Sequence, residues 1–363
     1  MMQNPDCMAD KLVPAPDGES PFTLICEGLL ADDLPQFRHE IELALHAQAD
    51  YLTDIEYQMF KGGKKIRPIV MLLAARMIAG GAPLNPKVYK GSASLEMLHV
   101  ATLIHDDIVD EAQLRRGVPS VSAARGIKTA LLVGDLQFVQ ALRGFAQNVE
   151  TERDMGLVRL VLDTAFDICR GELDELDRTL PADIDSALAR YYQTIDRKTS
   201  ELFRLACHAG VELAGGRLRD ARRAGFFGRS LGRAFQIMDD VLDLVEYESS
   251  AGKENGVDLT QGRLALPVLF ALQSLGQEHA IAQALRGEIT LCGEALEQAI
   301  DDLRDCGAID RAYVHARREA YQAIFYLKGF APSPYRSALE DLVRYVVDRP
   351  LNPAIIYKVE VYP

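Results

Sequence analysis

No stretch of about 18 consecutive apolar residues occurs in this 363-residue chain, which removes a membrane-spanning helix from consideration. The first twenty residues lack the basic start and apolar run of a secretion signal and carry Pro and Asp instead. The cysteines (Cys7, Cys26, Cys169, Cys207, Cys292 and Cys306) never approach CxxC spacing, so neither a zinc site nor a disulfide framework is indicated, and a reducing cytoplasm fits. Basic residues are in the minority; the net charge of −13 disfavours general nucleic-acid binding while leaving room for local phosphate sites. There is no Pro/Ser-rich linker, no repeat of solenoid period and no alternating strand pattern of any length. Also missing is any convincing Ser/His/Asp or Cys/His set, so catalysis by a side-chain nucleophile is not indicated.

What is present is an acidic pattern that occurs twice. Asp106-Asp107-Ile108-Val109-Asp110 and Asp239-Asp240-Val241-Leu242-Asp243 are both DDxxD. In each copy the first and last aspartates stand four apart and project from one helix face. Like charges at that spacing cost about 0.2–0.5 kcal/mol per pair, and a second acidic face opposite would add to the cost. One copy alone reads as a solvated acidic face. Here apolar residues surround both: Leu98, Ala101, Ile104 and Ile108 flank the first, while Phe235, Met238, Val241, Leu242 and Val245 crowd the second. Two such copies in buried-looking helices point to metal. Carboxylate oxygens without His or Cys select a hard cation, and so few ligands suit hydrated Mg²⁺ bridging to substrate phosphates.

Along the chain, residues 1–30 show little periodicity and read as a flexible lead-in. Helical spacing begins at Leu34, Phe37, Ile41 and Leu45 and continues to Phe60. Gly62-Gly63 breaks it, and Pro68 suits the first turn of the next helix. Helices are then expected near 67–80, 87–111, 122–148, 152–178, 184–209, 217–248, 263–275, 278–286, 293–304, 308–327 and 335–347, with breaks at Gly and Pro. Residues 31–348 read as one all-α domain, a helical bundle around a central active-site cavity, with 349–363 a tail. Lys64, Arg67, Arg115, Arg116, Lys198, Lys253 and Arg263 recur at glycine breaks and helix ends, where backbone N–H groups and guanidinium forks match phosphate oxygens. Singly, each is a solvated cation. His99, two turns before Asp106, would by itself be a satisfied core histidine.

Six stretches carry a resemblance: GGKKIRP (62–68), LHVATLIHDDIVDEAQLRRG (98–117), LLVGD (131–135), RKTSELF (197–203), FQIMDDVLD (235–243) and GKENGVDLTQGRLALP (252–267). In these, and in their order, the chain resembles the trans-type isoprenyl diphosphate synthases, the polyprenyl synthetase family. The resemblance implies that Asp106, Asp110 and Asp239 bind three Mg²⁺ ions gripping an allylic diphosphate, with Asp107, Asp240 and Asp243 in support. It gives Arg115, Lys198 and Lys253 to that diphosphate, and Lys64, Arg67, His99 and Arg116 to the diphosphate of isopentenyl diphosphate. Thr199 and Gln236 would line the place where positive charge develops, and a cytoplasmic homodimer is implied. Metal neutralises the leaving diphosphate, the allylic C–O bond ionises, the carbocation is shielded from water, and isopentenyl diphosphate attacks through its double bond.

Arg263 stands where the family commonly has Lys, and Glu175 where Gln or Asp is usual; Lys65 replaces a frequent Arg. Short-chain members carry an aromatic floor four or five residues before the first aspartate. Here those positions are Thr102 and Ala101, with Leu98 a turn deeper and Phe138 and Leu142 opposite. A medium- or long-chain polyprenyl product is therefore expected rather than a farnesyl or geranylgeranyl one. A class I terpene cyclase would mix Asn, Ser or Thr with Glu in its second motif and has no use for Lys64, Arg67 and His99. A non-catalytic subunit of a heteromeric synthase typically loses aspartates that are intact here.

Overall fold

A computed structural model of the chain describes residues 21–115, 117–147, 149–177, 183–245 and 256–348. Among them the only strands are β1 (Leu114–Arg115) and β2 (Val118–Pro119), an antiparallel hairpin with Gly117 in its turn at φ 80°. The remaining regular structure is helical. The order begins α1 (Pro21–Leu24), α2 (Asp33–His46), α3 (Asp54–Lys61), α4 (Ile66–Ala79) and α5 (Pro86–Val109). After the hairpin come α6 (Val121–Arg125), α7 (Ile127–Ala146), α8 (Glu152–Leu176), α9 (Ile184–Ile195), α10 (Glu201–Leu213) and α11 (Leu218–Val245). The last third holds α12 (Val257–Thr260), α13 (Leu266–Leu275), α14 (Ala280–Leu285), α15 (Glu294–Asp305), α16 (Ala308–Leu327) and α17 (Pro334–Val347).

Local chemistry sets the boundaries. Asn85 caps α5 by accepting from the Lys87 N–H, with Pro86 in the first turn. Thr151 and Asp154 cap α8 reciprocally. The helical pattern over 34–60 is divided, because Thr53 and Glu56 form a capping box that starts α3 afresh after a 3₁₀ turn at Ala49–Tyr51. The pattern over 122–148 divides at Gly126, whose φ of 82° ends α6. Between α9 and α10 the chain passes through a π turn, Asp196–Ser200, where the apolar spacing alone reads as one helix.

The lead-in assigned to residues 1–30 needs correction over its last ten positions. Residues 1–20 lie outside the described set, whereas 21–29 are helical, with a π turn at Ile25–Leu29, and Ile25 and Leu30 are buried. Phe22 meets Tyr345 of α17 edge-on, with ring centroids 5.1 Å apart. Ile25 and Leu30 in the core, with Phe22, Cys26 and Leu29 packed against it, tie this stretch to the bundle although its sequence shows little periodicity. The 349–363 tail also lies outside the described residues.

At the centre runs α10, with Leu202, Phe203, Leu205, Ala206, Ala209 and Val211 all essentially inaccessible. A helix apolar on every side belongs in a core, and α10 packs against α4, α5, α8 and α11. Helices α5 and α11, which bear the acidic copies, thus flank one central helix.

Candidate active site

The first acidic copy closes α5. Asp106 and Asp107 are in its last turn, and Asp110 is its C-cap, its N–H donating to the Asp106 carbonyl at 2.8 Å. Asp107 is only 1% exposed; its Oδ1 accepts from Arg115 Nε at 2.6 Å, while its buried Oδ2 has no hydrogen-bond partner. Asp110 accepts from the Arg263 guanidinium. Asp106 faces Lys198, whose Nζ is 4.0 Å away. Burial is the main force pushing the Asp106 carboxyl above its usual range, against the pull of Lys198.

The second copy lies on α11. Asp240 is buried and fully engaged: Oδ1 accepts from Gln236 Nε2 at 3.0 Å, and Oδ2 from the Tyr191 hydroxyl at 2.6 Å and the Leu266 N–H at 3.3 Å. Burial nevertheless pushes its carboxyl up to about 7. Asp243 accepts from the N–H groups of Val257 and Asp258 at 3.3 and 3.1 Å, which anchors the start of α12. Asp239, just before Asp240 in sequence, is half-buried.

Between the copies stands Lys198 in the π turn. Its Nζ donates to Glu172 at 2.9 Å and Glu175 at 2.5 Å, both on α8. Burial opposes its charge, yet Asp106, Glu175 and Glu172 together hold its pKa above the ordinary lysine value. The neighbouring Thr199 donates to Gln236 Oε1 at 2.7 Å. These groups open on a cleft of about 850 Å³ lined by Glu175, Lys198, Thr199, Gln236, Asp258 and Arg263 among others. Negative charge crowds it. Burial, then Asp106, pushes Glu172 up to about 8, and burial, then Asp240 and Asp243, does the same to Asp258.

Oxygen-only donors whose carboxyls are forced toward protonation are what a hard divalent cation relieves. The residues therefore fit Mg²⁺. Among the described residues no group of three or more such side chains is arranged to hold a metal ion by itself. A cation here would complete its shell with water and phosphate oxygens, as Mg²⁺ usually does.

A second cluster lies along α4 and α5. Arg67 Nη1 is 3.1 Å from His99 Nε2, and the guanidinium lies 4.7 Å from the ring centre of Phe203. Phe203, in the first turn of α10, is four residues after Thr199 of the π turn, and His99 precedes Asp106 by two turns of α5, about 10 Å along the axis. Lys64 donates to the Tyr345 hydroxyl at 2.7 Å and lies over the rings of Tyr345 and Phe22. The adjoining Lys65, in the left-handed region at φ 51°, reaches Glu96 at 2.8 Å.

Most of the residues singled out from the sequence thus converge. Arg116 and Lys253 lie outside the described residues. Arg115 is engaged by Asp107 rather than open to the cleft, and both Asp107 and Asp240 are held by protein partners. Sequence reasoning missed Glu172, Tyr191 and Asp258. Glu172 is one turn before Glu175 and could have been found by that spacing; Tyr191 meets Asp240 across 49 positions, which no local pattern reveals.

Residues 49–303 match the polyprenyl synthetase family, and the chain belongs to it. It is 33% identical to heptaprenyl diphosphate synthase component 2 of Geobacillus stearothermophilus over 88% of this chain and 97% of that protein. It is 37% identical to a geranyl-diphosphate-specific all-trans-nonaprenyl-diphosphate synthase of Rhodobacter capsulatus, over 79% of this chain and 86% of that one. Among solved structures, a polyprenyl synthase from Caulobacter crescentus, complexed with calcium and isoprenyl diphosphate, superposes with a TM-score of 0.78 at 29% identity, covering 92% of this chain and 99% of that one.

Proposed function

We propose that the protein is a Mg²⁺-dependent prenyltransferase that condenses an allylic diphosphate with isopentenyl diphosphate and builds a medium- or long-chain trans-polyprenyl diphosphate. The observation that carries this is the acid-rich cleft with Lys198 and Arg263 in its wall, facing Asp106 and Asp110. Bound Mg²⁺, three ions with the diphosphate in place, would supply positive charge for the leaving group; Asp106, Asp110 and Asp239 would hold it. Lys198 then turns from Glu172 and Glu175 to the diphosphate, and Arg263 from Asp110. Thr199 and Gln236, hydrogen-bonded to each other, present oxygen to the developing carbocation. Arg67, His99 and Lys64 hold the second diphosphate so that the isopentenyl double bond attacks, after which a proton leaves to the departed diphosphate. Apolar walls on α5 and α10 exclude the water that would quench the cation.

Product length follows from the column beneath Asp106. Thr102 is half-buried, and Ala101 and Leu98 are fully buried and aliphatic, so no Phe or Tyr on α5 stops the growing chain within two turns. Purified protein given labelled isopentenyl diphosphate, a short allylic primer and Mg²⁺ should yield products that chromatograph beyond geranylgeranyl diphosphate. Arrest at farnesyl diphosphate defeats the length assignment; hydrocarbon formed without isopentenyl diphosphate favours a cyclase. The name of the Geobacillus relative, a component 2, supports one further reading, a subunit of a two-chain synthase. Inactivity of well-folded chain alone would establish that need.

A homodimer is part of the same proposal. Ile127, Leu131, Leu132 and Val139 on α7, with Leu162, Phe166, Leu173 and Leu176 on α8, are exposed at helical spacings. So long an apolar stripe on two adjacent helices is an association surface, and a second copy offers the matching one. Light scattering should give twice the chain mass, and Phe166→Glu should shift it to the monomer.

A further inference from the structure

Accepting the reading above, in which Lys198 and Thr199 serve the allylic diphosphate, we propose that Asp196, gripped by Arg229 and Arg233, is the positioning residue that fixes the π turn presenting them. A π turn carries one residue more than an α-helical turn, so side chains beyond it are rotated by about 100° from where an unbroken helix would aim them. Lys198 and Thr199 lie within the turn itself. Adjacent residues reach opposite helices: Lys198 meets Glu172 and Glu175 on α8, and Thr199 meets Gln236 on α11.

A π turn is less favourable than the α-helix it interrupts, so tertiary contacts must hold it. Asp196 is its first residue and is buried. Its Oδ1 accepts from Arg233 Nε at 2.7 Å and its Oδ2 from Arg233 Nη2 at 2.6 Å, a two-pronged grip, and Arg229 adds a third bond to Oδ2. Burial alone would raise this carboxyl; the two arginines bring it below its usual range. Arg233 is itself fixed. Its Nη1 donates to Glu319 of α16 at 3.3 Å, and its guanidinium lies 5.1 Å from the ring centre of Tyr192, whose hydroxyl is 2.9 Å from His315 Nδ1.

Backbone fit closes the turn from both sides. A Cβ added to Gly171 of α8 would fall 2.6 Å from the Lys198 nitrogen, and one added to Gly232 of α11 would fall 2.6 Å from the Ser200 Cα. Only hydrogen fits at either position. Arg233 precedes Gln236 by one turn and Asp240 by two on the same helix, so α11 sets the second acidic copy and the lysine-bearing turn together. The arginines never touch the cleft's reacting groups; they act through Asp196.

The test compares wild type with Asp196→Asn and with Arg229→Gln, which removes a single bond from a partly exposed side chain. The readouts are KM and kcat for each substrate separately, and calorimetric binding of inorganic pyrophosphate with Mg²⁺, which needs no turnover. Both variants should weaken the allylic diphosphate and pyrophosphate by about tenfold, with the isopentenyl KM held within about twofold, since Lys64, Arg67 and His99 lie on other elements. In a Lys198→Met background, Asp196→Asn should add no further loss, because its effect runs through that lysine. Equal loss for both substrates, undiminished loss in the Lys198→Met background, or a lowered melting temperature with unchanged pyrophosphate binding would reduce Asp196 to a purely structural role. Arg229→Gln decides the matter if Asp196→Asn does not fold. Wild-type protein that binds pyrophosphate and consumes neither substrate refutes the catalytic reading, while variants that bind pyrophosphate as wild type does refute the clamp.

Discussion

The two DDxxD copies have one sequence pattern and two kinds of surroundings. The first ends a helix: Asp110 is a C-cap followed by Glu111 in the left-handed region, and its contacts come from Arg115 just downstream and from Arg263, far along the chain. The second lies near the end of α11, and its central carboxylate is tied into Tyr191, Gln236 and the backbone of Leu266. In both copies the middle aspartate is the buried one and is held by protein partners, while the flanking aspartates are half-buried. The lesson is that a repeated motif need not repeat its division of labour at the level of partners: one copy is braced by a cation, the other by neutral donors.

The comparison yields graded tests. Chelation of divalent cations should abolish turnover while leaving the far-ultraviolet circular dichroism of the bundle intact, and turnover that persists in excess chelator removes the metal from both copies. Next, Asp106→Asn and Asp239→Asn should each cut kcat by orders of magnitude with an unchanged or raised melting temperature, since each relieves acidic crowding. Equal damage from both variants would show that the copies share the chemistry evenly.

The middle aspartates should behave differently. Arg115→Met strips from buried Asp107 the cation that bonds it, and Tyr191→Phe takes a neutral donor from Asp240. Urea titration should show losses of about 1–3 kcal/mol in each case, the larger where a buried carboxylate loses its cation. A larger loss from Tyr191→Phe would reverse that ranking.

The smallest effect lies outside both copies. Glu56 is buried; burial alone would raise its carboxyl, but bonds from Thr53 and Arg125 bring it below its ordinary value of 4.5. Such a carboxylate adds stability above that value and loses it as pH falls through the folded-state pKa. Glu56→Gln should therefore cost about 1–2 kcal/mol at pH 7 and progressively less as the pH is lowered below 4.5. A difference that persists unchanged in acid would place the stabilisation in packing instead.

Much of this molecule was legible before any fold was in view. Helical spacing located α4, α5, α8 and α11 closely, because an amphipathic or buried helix repeats its apolar residues at short range. The aspartates, Lys198, Thr199 and Gln236 could be singled out beforehand because the family resemblance rests on short stretches of sequence that contain them. The π turn was not legible: Tyr191 and Ile195 before it and Leu202 and Ala206 after it keep a helical apolar rhythm, and what holds the turn, Arg229 and Arg233, comes from more than thirty residues away. Glu56 looked like one more acidic side chain until Arg125 arrived from α6 to share its burial.

By itself the sequence determined that the protein is all-helical, that two acidic faces and a set of cations are available, and that no aromatic side chain stands four or five residues before the first face. Those are properties of spacing and side-chain type, which act within a few turns. Only the tertiary structure decided which carboxylates turn inward to Arg115 and Tyr191, that Lys198 stands between Asp106 and the α8 glutamates, and that Asp196 is clamped behind it. Burial and pairing across distant segments set those outcomes, because desolvation of a charge depends on everything packed around it rather than on its neighbours in the chain.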